Sequence, residues 1–376
     1  MKFFVVLIFF LSMSCQVFAK EGKTFPTYKV GGQLVVDGAW FFEKDFVDDD
    51  QEIRRARVYL KGDLQKDISY EMEYDFSSKN GYKDLYLKYS ALEFGTTLKV
   101  GNIKEPIGLS ALTSSKYNTF MERALPNIFI FDRKVGMTLS KSEYVKKRYA
   151  WGVTAGGFLK PLEDISQDNN EYSFSIRARY ASFFKKKSLW HIGASTAYTS
   201  FDDKKYKLSV RPESHLSKIK YLKTKIKHTD KIIRYAFETI YQNGSFTAQA
   251  EYIKEYIETT TSKEYDFYGW YAEVSYFFGN ESKRYKPKEG VYGRIKLKNS
   301  LSKKSLGAIE GALRISYVDL NDQDKEGGEV YQYGVGLNWY ILNNLRVMLN
   351  HITIDRKNDT TSYDPKILQL RIQYDF

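Results

Sequence analysis

Apolar and polar residues alternate strictly along most of this chain, in runs of about ten residues separated by turn signals. From 68 to 76, Ile68, Tyr70, Met72, Tyr74 and Phe76 fall on one face, and Ser69, Glu71, Glu73 and Asp75 on the other. From 83 to 92, Leu85, Leu87, Tyr89 and Ala91 oppose Asp84, Tyr86, Lys88 and Ser90. The final residues repeat the device: Leu368, Leu370, Ile372, Tyr374 and Phe376 oppose Gln369, Arg371, Gln373 and Asp375. A period of two predicts antiparallel strands with one apolar and one polar face. Asn80-Gly81 and Asn243-Gly244 are tight-turn signals between such runs.

Two architectures suit these strands. A soluble sandwich hides its apolar face against a second sheet, whereas a transmembrane barrel turns that face to lipid and its polar face to a wet lumen. Charge favours the barrel, because Arg, Lys, Glu and Asp recur on the polar faces of strands long enough to cross a bilayer (~9–11 residues). The aromatic content of 16% suits interfacial girdles. The fold class predicted is therefore all-β, a transmembrane antiparallel barrel. Sixteen strands would leave about 22 residues for each strand and its connection, with 14 or 18 as neighbouring solutions. In a closed barrel, the backbone of 28–42 would pair with that of the final strand.

Composition removes other classes. The 31 Tyr and 25 Phe among 376 residues exclude a disordered chain. One Cys excludes a disulfide scaffold and a cysteine-based zinc cluster. Beyond the N-terminus no uncharged run approaches the ~18–20 residues of a membrane helix.

The start reads as a secretory signal. Lys2, the apolar run 3–11 and Val17-Phe18-Ala19 place a cleavage site after residue 19. Residues 20–376 then form a single barrel domain. Cys15 offers a lipoprotein reading instead, against which Ser12 stands where Leu is expected. Among the connections, 64–67 and 92–96 read as tight periplasmic turns, and 43–52 and 77–82 as external loops. The acidic run 48–50 is a solvated loop or a divalent-ion site. Segment 104–132 breaks the alternation, with Pro106, Thr113-Ser114-Ser115, Lys116, Arg123 and Pro126. It is either an external loop or an inward fold that narrows the channel.

The formal net charge is +12, and strand periodicity arranges part of it. Arg55, Arg57 and Lys61 oppose Ala56, Val58 and Leu60. Arg177 and Arg179 oppose Ile176, Ala178 and Tyr180. Lys207 and Arg211 oppose Leu208 and Val210. A charge facing lipid costs about 2–4 kcal/mol at the membrane midplane, so all seven are expected to face inward as a basic ladder for anions. The alternative is a mixed-charge lumen in which the arginines pair with Glu71, Glu73 and Asp75. A further basic stretch, Lys218, Lys220, Lys223, Lys225, Lys227 and Lys231, is a solvated loop, an electrostatic funnel or a patch for lipid phosphates.

Ile53-Arg54-Arg55-Ala56-Arg57, Glu73-Tyr74-Asp75-Phe76, Lys104-Glu105-Pro106 and 120–126 (Phe-Met-Glu-Arg-Ala-Leu-Pro) together resemble the phosphate-selective porin O and P family. So do Tyr271-Ala272-Glu273-Val274, Gly293-Arg294 and Gly336-Leu337-Asn338-Trp339. The resemblance runs through the whole mature chain. It implies a 16-stranded, trimeric barrel whose third external loop folds into the lumen, here 104–132. It also implies an anion site at the constriction: Ser114 and Ser115 as hydroxyl donors, Arg123 as charged ligand, Asp84 as a wall carboxylate, and Lys116 beside them. Ala111 stands where strongly phosphate-selective members carry Lys, which weakens the expectation of phosphate specificity.

An enzyme reading fails on geometry in the sequence. The four His are scattered, no nucleophile elbow is present and no H-E-x-x-H spacing occurs. The function expected is passive diffusion of small inorganic anions, phosphate or polyphosphate in the narrow version and a general, weakly selective porin in the broad one. A plugged structural or adhesin barrel is the third reading. No cofactor and no nucleic-acid partner are expected. The expected surroundings are outer-membrane lipid and lipopolysaccharide of a Gram-negative cell, with the chain as a homotrimer.

Overall fold

The computed structural model describes residues 24–42, 50–165, 171–298, 305–357 and 366–376. The signal sequence, and Asp48 and Asp49 of the acidic run, lie outside the described residues.

Sixteen antiparallel strands close into one barrel. They are β1 (Lys29–Phe41), β2 (Asp50–Gln65), β3 (Ile68–Asp75), β4 (Tyr82–Leu92), β5 (Thr96–Lys104), β6 (Arg133–Val145), β7 (Tyr149–Phe158) and β8 (Tyr172–Lys185). There follow β9 (Ser188–Val210), β10 (Leu222–Asn243), β11 (Phe246–Thr259) and β12 (Glu264–Phe277). After a small hairpin, β13 (Arg284–Lys286) and β14 (Val291–Gly293), come β15 (Ala308–Asp322), β16 (Lys325–Leu342), β17 (Leu345–Lys357) and β18 (Lys366–Asp375). Each barrel strand pairs with its neighbours in sequence, and β1 pairs with β18 from Gln33↔Asp375 to Phe41↔Ile367. Gly32 and Phe376 exchange both backbone hydrogen bonds at the seam, at 3.0 and 3.2 Å. A Cβ on Gly32 would lie 2.4 Å from the Phe376 ring, so glycine is required there.

The faces follow the sequence pattern. Ile53, Met72, Leu87, Phe174, Trp190, Phe237, Leu313 and Val335 are exposed on the outside, where lipid replaces water. Tyr74–Tyr82, Tyr172–Tyr198 and Trp270–Tyr317 pack ring against ring at 5.3 to 6.3 Å, on the side of the longer loops. No described helix is long and apolar enough to cross a membrane.

Two features depart from the expected alternation of short turns and long loops. The connection 278–307 lies at the end of the short turns, periplasmic in such barrels, yet it carries the β13–β14 hairpin. Strands β9 and β10 run for 23 and 22 residues, well beyond the wall. Their pairing slips between Tyr206↔Ile226 and Lys204↔Thr229, where Asp202, Asp203 and His228 take positive φ. This bulge shifts the parity of the side chains. Below it Thr199 and Phe201 are buried; above it Tyr206, Leu208 and Val210 are.

Candidate functional site

The lumen is filled from three directions. The first insertion is 105–132, which the fold turns inward. Its start is held on β11, where Glu251 accepts from the Leu109 and Ser110 amides at 2.7 and 3.2 Å. Its middle is held on β16–β18: Asn338 donates to the Thr119 carbonyl, Arg346 to that of Asn118 and Gln373 to that of Lys116, at 2.8 to 3.1 Å. The Met121 amide donates to Asn350 Oδ1 at 2.9 Å. Phe120 is 1% exposed and seats against inward Gly334, where a Cβ would meet its ring at 2.9 Å. The Arg314 guanidinium covers the ring at 4.1 Å.

The second insertion, 211–221, joins β9 to β10 and crosses the mouth to the opposite wall. Glu213 accepts from the Leu125 amide at 3.1 Å, from Ser316 Oγ at 2.7 Å and from Arg314. Its own amide donates to Gln332 at 3.0 Å, and its carbonyl accepts from Gln369 at 3.0 Å. The far end is pinned on β2 by His215–Glu52 at 2.7 Å and Lys218–Asp50 at 3.6 Å. Leu216, Leu222 and Ile226 join Val318, Leu320 and Ile354 in an apolar cluster beneath this ribbon.

The third is the β13–β14 hairpin. Tyr285, Val291 and Tyr292 pack with Leu109, Leu189 and Ile240 against the wall. Arg177 donates to the Gly290 carbonyl at 3.0 Å and pairs with Glu238; Arg179 donates to the carbonyls of Pro287, at 2.8 Å, and Lys288. His191 bridges Tyr285 and Glu238 at 2.6 and 2.9 Å. Between hairpin and loop about 20 Å³ of space remains, bordered by Glu122, Arg123, Tyr271, Lys283, Tyr292 and Arg314. That is room for a water molecule or two.

These insertions sort the basic residues. Arg55, Arg57 and Lys61 face inward on β2. Arg57 pairs with Asp75 at 2.7 Å and Glu73 at 3.8 Å, which is the mixed-charge arrangement. Arg177 and Arg179 face inward too, but lie under the hairpin, 5% and 9% exposed, and grip its carbonyls. Lys207 corrects the sequence reading. It is exposed on the outer face while Leu208 and Val210 are buried. The bulge at 202–204 puts the apolar face inward, and beyond the membrane the outer face meets water. Arg211 is exposed as well, its guanidinium 3.4 Å from the His215 carbonyl.

The residues matched to the family's anion site are dispersed. Arg123 is a brace inside the loop, donating to the carbonyls of Ser110 (2.8 Å), Ala111 (3.4 Å) and Thr113 (3.1 Å). Both oxygens of Asp84 already accept from Arg133, at 3.0 Å each, so the carboxylate is engaged. Ser115 is buried and its hydroxyl has no partner among the described residues. Ser114 lends its carbonyl to the Tyr117 amide. Lys116 Nζ lies over the Tyr59 ring at 4.8 Å, and Lys61 Nζ over the same ring at 4.6 Å. The cation missing at Ala111 has a spatial counterpart: Lys104 Nζ donates to the Ala111 carbonyl, beside Arg123.

Three functional features escape sequence reasoning. Arg54 and Arg55 are adjacent, so period two sends one of them to lipid. The register slip between Val35 and Val36 lets both turn to Glu122. Arg54 meets that carboxylate at 3.0 and 3.1 Å, Arg371 at 2.7 Å and Arg55 at 3.9 Å, while Arg371 also pairs with Asp37 at 2.6 Å. Burial alone would raise the Glu122 pKa; the charges of Arg54, Arg371 and Arg55 outweigh it and hold the group well below the usual carboxylate range. Arg55 Nε and Nη1 have no hydrogen-bond partner among the described residues. Second, Lys88 and Lys99 face each other across β4–β5, with Lys99 over the Tyr86 ring at 4.3 Å. The polar face of 83–92 carries the signal for Lys88; Lys99 lies on the next strand. Third, part of the inward surface of β2–β5 remains half-buried rather than sealed, at Lys61, Glu71, Tyr86, Lys88 and Lys99, although Arg55, Tyr59, Asp75 and Asn102 are buried.

A closed sixteen-stranded barrel with apolar exterior, charged lumen and inward loops defines an outer-membrane channel protein of the porin class. Residues 29–376 match the family described as phosphate-selective porin O and P, and the chain belongs to it. Porin O of Pseudomonas aeruginosa is 23% identical over 402 aligned residues, covering 93% of this chain and 88% of that one. An uncharacterized protein of Caulobacter vibrioides is 28% identical over 346, covering 86% and 68%. Among solved structures, the anion-selective porin from Comamonas acidovorans superposes with a TM-score of 0.56 at 10% identity, covering 93% of this chain and 99% of that one. A loop-deletion form of OmpT, an outer membrane protein of Vibrio cholerae, gives 0.58 at 10%, covering 93% and 99%.

Proposed function

We propose that this porin conducts small anions, phosphate among them, along the β2–β5 side of its lumen. The observation that carries the reading is a set of four lysines on the unsealed side: Lys61, Lys88 and Lys99 on the wall and Lys116 on the loop. None has a carboxylate partner among the described residues. Three of the four rest on tyrosine rings. Of the acidic groups nearby, Glu73 and Asp75 pair with Arg57 and Asp84 pairs with Arg133, while Glu71 sits opposite Lys61 across β2–β3 without closing an ion pair and accepts from Tyr86 Oη at 2.8 Å. A row of ammonium groups outside any ion pair raises the local anion concentration, and lysine as a point charge releases the ion again. Lys104 near the Ala111 carbonyl and the free Ser115 hydroxyl favour an oxyanion at the loop, whereas Ala111 itself favours the general, weakly selective version. The homotrimer is part of this proposal, as is an outer-membrane lipid surround; a solved form of OmpT is described as a trimer.

The test is the reversal potential of purified protein in a planar bilayer across a KCl gradient, followed by phosphate titration. Anion preference that falls in a Lys61→Glu, Lys99→Glu double variant is the expected result. An unchanged potential in that variant rejects the path. Block of chloride current by low phosphate supports an oxyanion site; absence of block makes the protein a general anion porin.

A further inference from the structure

Beneath the loop, toward the short turns, lies a polar space that the lysine row reaches at Lys116 but does not account for. Lys116, Arg294, Tyr340, Arg346, Gln373 and Asp375 border it, and about 30 Å³ is open between them. That is room for two or three water molecules, or for one small oxyanion in their place. Separate segments build this space, and hydrogen bonds tie them together. Gln373 on β18 donates to the Lys116 carbonyl at 3.1 Å and accepts from Arg346 on β17 at 3.0 Å. Arg294, just past the β13–β14 hairpin, donates to the Asn343 carbonyl at 3.0 Å and to Asp375 at 3.2 Å. The Leu297 amide donates to Asn343 Oδ1 at 3.0 Å, which fixes this segment against the turn between β16 and β17.

The charges around this space do not balance. Lys116, Arg294 and Arg346 face one carboxylate, Asp375, whose ion pair among the described residues is with Arg294. Asp375 and Arg346 are each 4% exposed, yet Asp375 Oδ1 and Arg346 Nε have no hydrogen-bond partner among the described residues. Buried polar atoms in that state are costly. The surplus of positive charge selects an anion, and a free carboxylate oxygen repels any anion that can only accept. Both demands are met by an oxyanion that keeps a proton. Its hydroxyl donates to Asp375 Oδ1, and its other oxygens accept from Arg294, Arg346 and Lys116. Inorganic phosphate carries such a hydroxyl at neutral pH, whereas sulfate and chloride do not. We propose that this space is an exit site for inorganic phosphate on the periplasmic side of the loop. The proposal rests on the anion path above, to which Lys116 joins it, since its ammonium shares the Tyr59 ring with Lys61. The Arg294 side chain stays half-buried, so the ion is held at an open edge and released from it.

The experiment titrates full-length protein, folded in detergent, with inorganic phosphate and separately with sulfate, by isothermal calorimetry. The wild type should bind phosphate at least roughly tenfold more tightly than sulfate, because only sulfate meets the Asp375 oxygen without a proton. Asp375→Asn keeps the size of the side chain and removes that repulsion, so the preference should collapse toward equal affinity. Arg294→Gln, on a connection outside the barrel wall, should weaken phosphate binding roughly tenfold, the effect of one charge-assisted hydrogen bond. It also serves if the Asp375 variant does not fold. Unchanged phosphate affinity in both variants would overturn the proposal, and so would equal affinity of the wild type for sulfate. Binding is read at equilibrium and without current. Failure here therefore leaves the reversal-potential test of Lys61 and Lys99 intact, and an unchanged potential in that double variant would remove the path without altering the binding result.

Discussion

Glu122 shows how much one side chain decides here. It sits on the loop, faces Arg54, Arg55 and Arg371, and is the shared counter-ion of all three. Removing one partner from a buried ion cluster costs about 3–5 kcal/mol, so Glu122→Gln should unseat the loop, lowering the thermal midpoint and opening 105–132 to proteolysis. The freed guanidinium charge should also move the reversal potential toward anions. Wild-type values of all three readings would show that Asp37 alone suffices. The pH dependence has a definite sign: a carboxylate held low in the fold contributes stability above its ordinary pKa and loses it as pH falls through the depressed one. The loop should therefore stay seated through the mildly acidic range.

Among the elements, the β13–β14 hairpin has the largest consequence. Arg177 and Arg179 are positioned as a ladder by strand periodicity, yet their guanidiniums spend their donors on carbonyls at 287–290 and, for Arg177, on Glu238. Replacing residues 284–293 by a short Gly-Ser connection should uncover both, with Arg177 still paired to Glu238 and Arg179 freed, raising single-channel conductance and strengthening anion preference. Conductance equal to wild type would mean that the 105–132 loop alone sets the current. The hairpin lies on the side where turns are short, and no local pattern in 278–307 announces that it packs inside. The β9–β10 ribbon teaches a related lesson. Alternation continues through the bulge at 202–204, so Lys207 and Arg211 keep the look of an inward row while the register turns them out.

At the scale of the whole molecule, closure is the controlling event, because every strand edge is satisfied only when β1 meets β18. Gly32→Leu would drive a side chain into the Phe376 ring and the Arg57 carbonyl, both 2.4 Å from the position of a Cβ. The folded, heat-modifiable band on electrophoresis should diminish sharply in that variant, and a wild-type band would show that the seam tolerates a shift. The three insertions then fill one side of the closed barrel and leave the β2–β5 side to water. That asymmetry assigns the lysines and arginines their different roles.

Alternation, strand length, aromatic content and charge in the amino-acid sequence were enough to determine a transmembrane barrel of about sixteen strands with apolar exterior and charged interior, with 14 or 18 left open until the family resemblance implied sixteen, and segment 104–132 stood out by breaking the period. Those are local properties, since the choice between lipid and lumen is made residue by residue at a cost of kilocalories. Only the tertiary structure decided which charges stay open. Neutralisation depends on what lies across the lumen: Glu122 opposite Arg54 and Arg371, the hairpin carbonyls opposite Arg177 and Arg179, and, among the described residues, no carboxylate within ion-pair distance of Lys61, Lys99 and Lys116. Pairing of that kind joins residues more than 200 positions apart, and a single-residue bulge changes which face meets it.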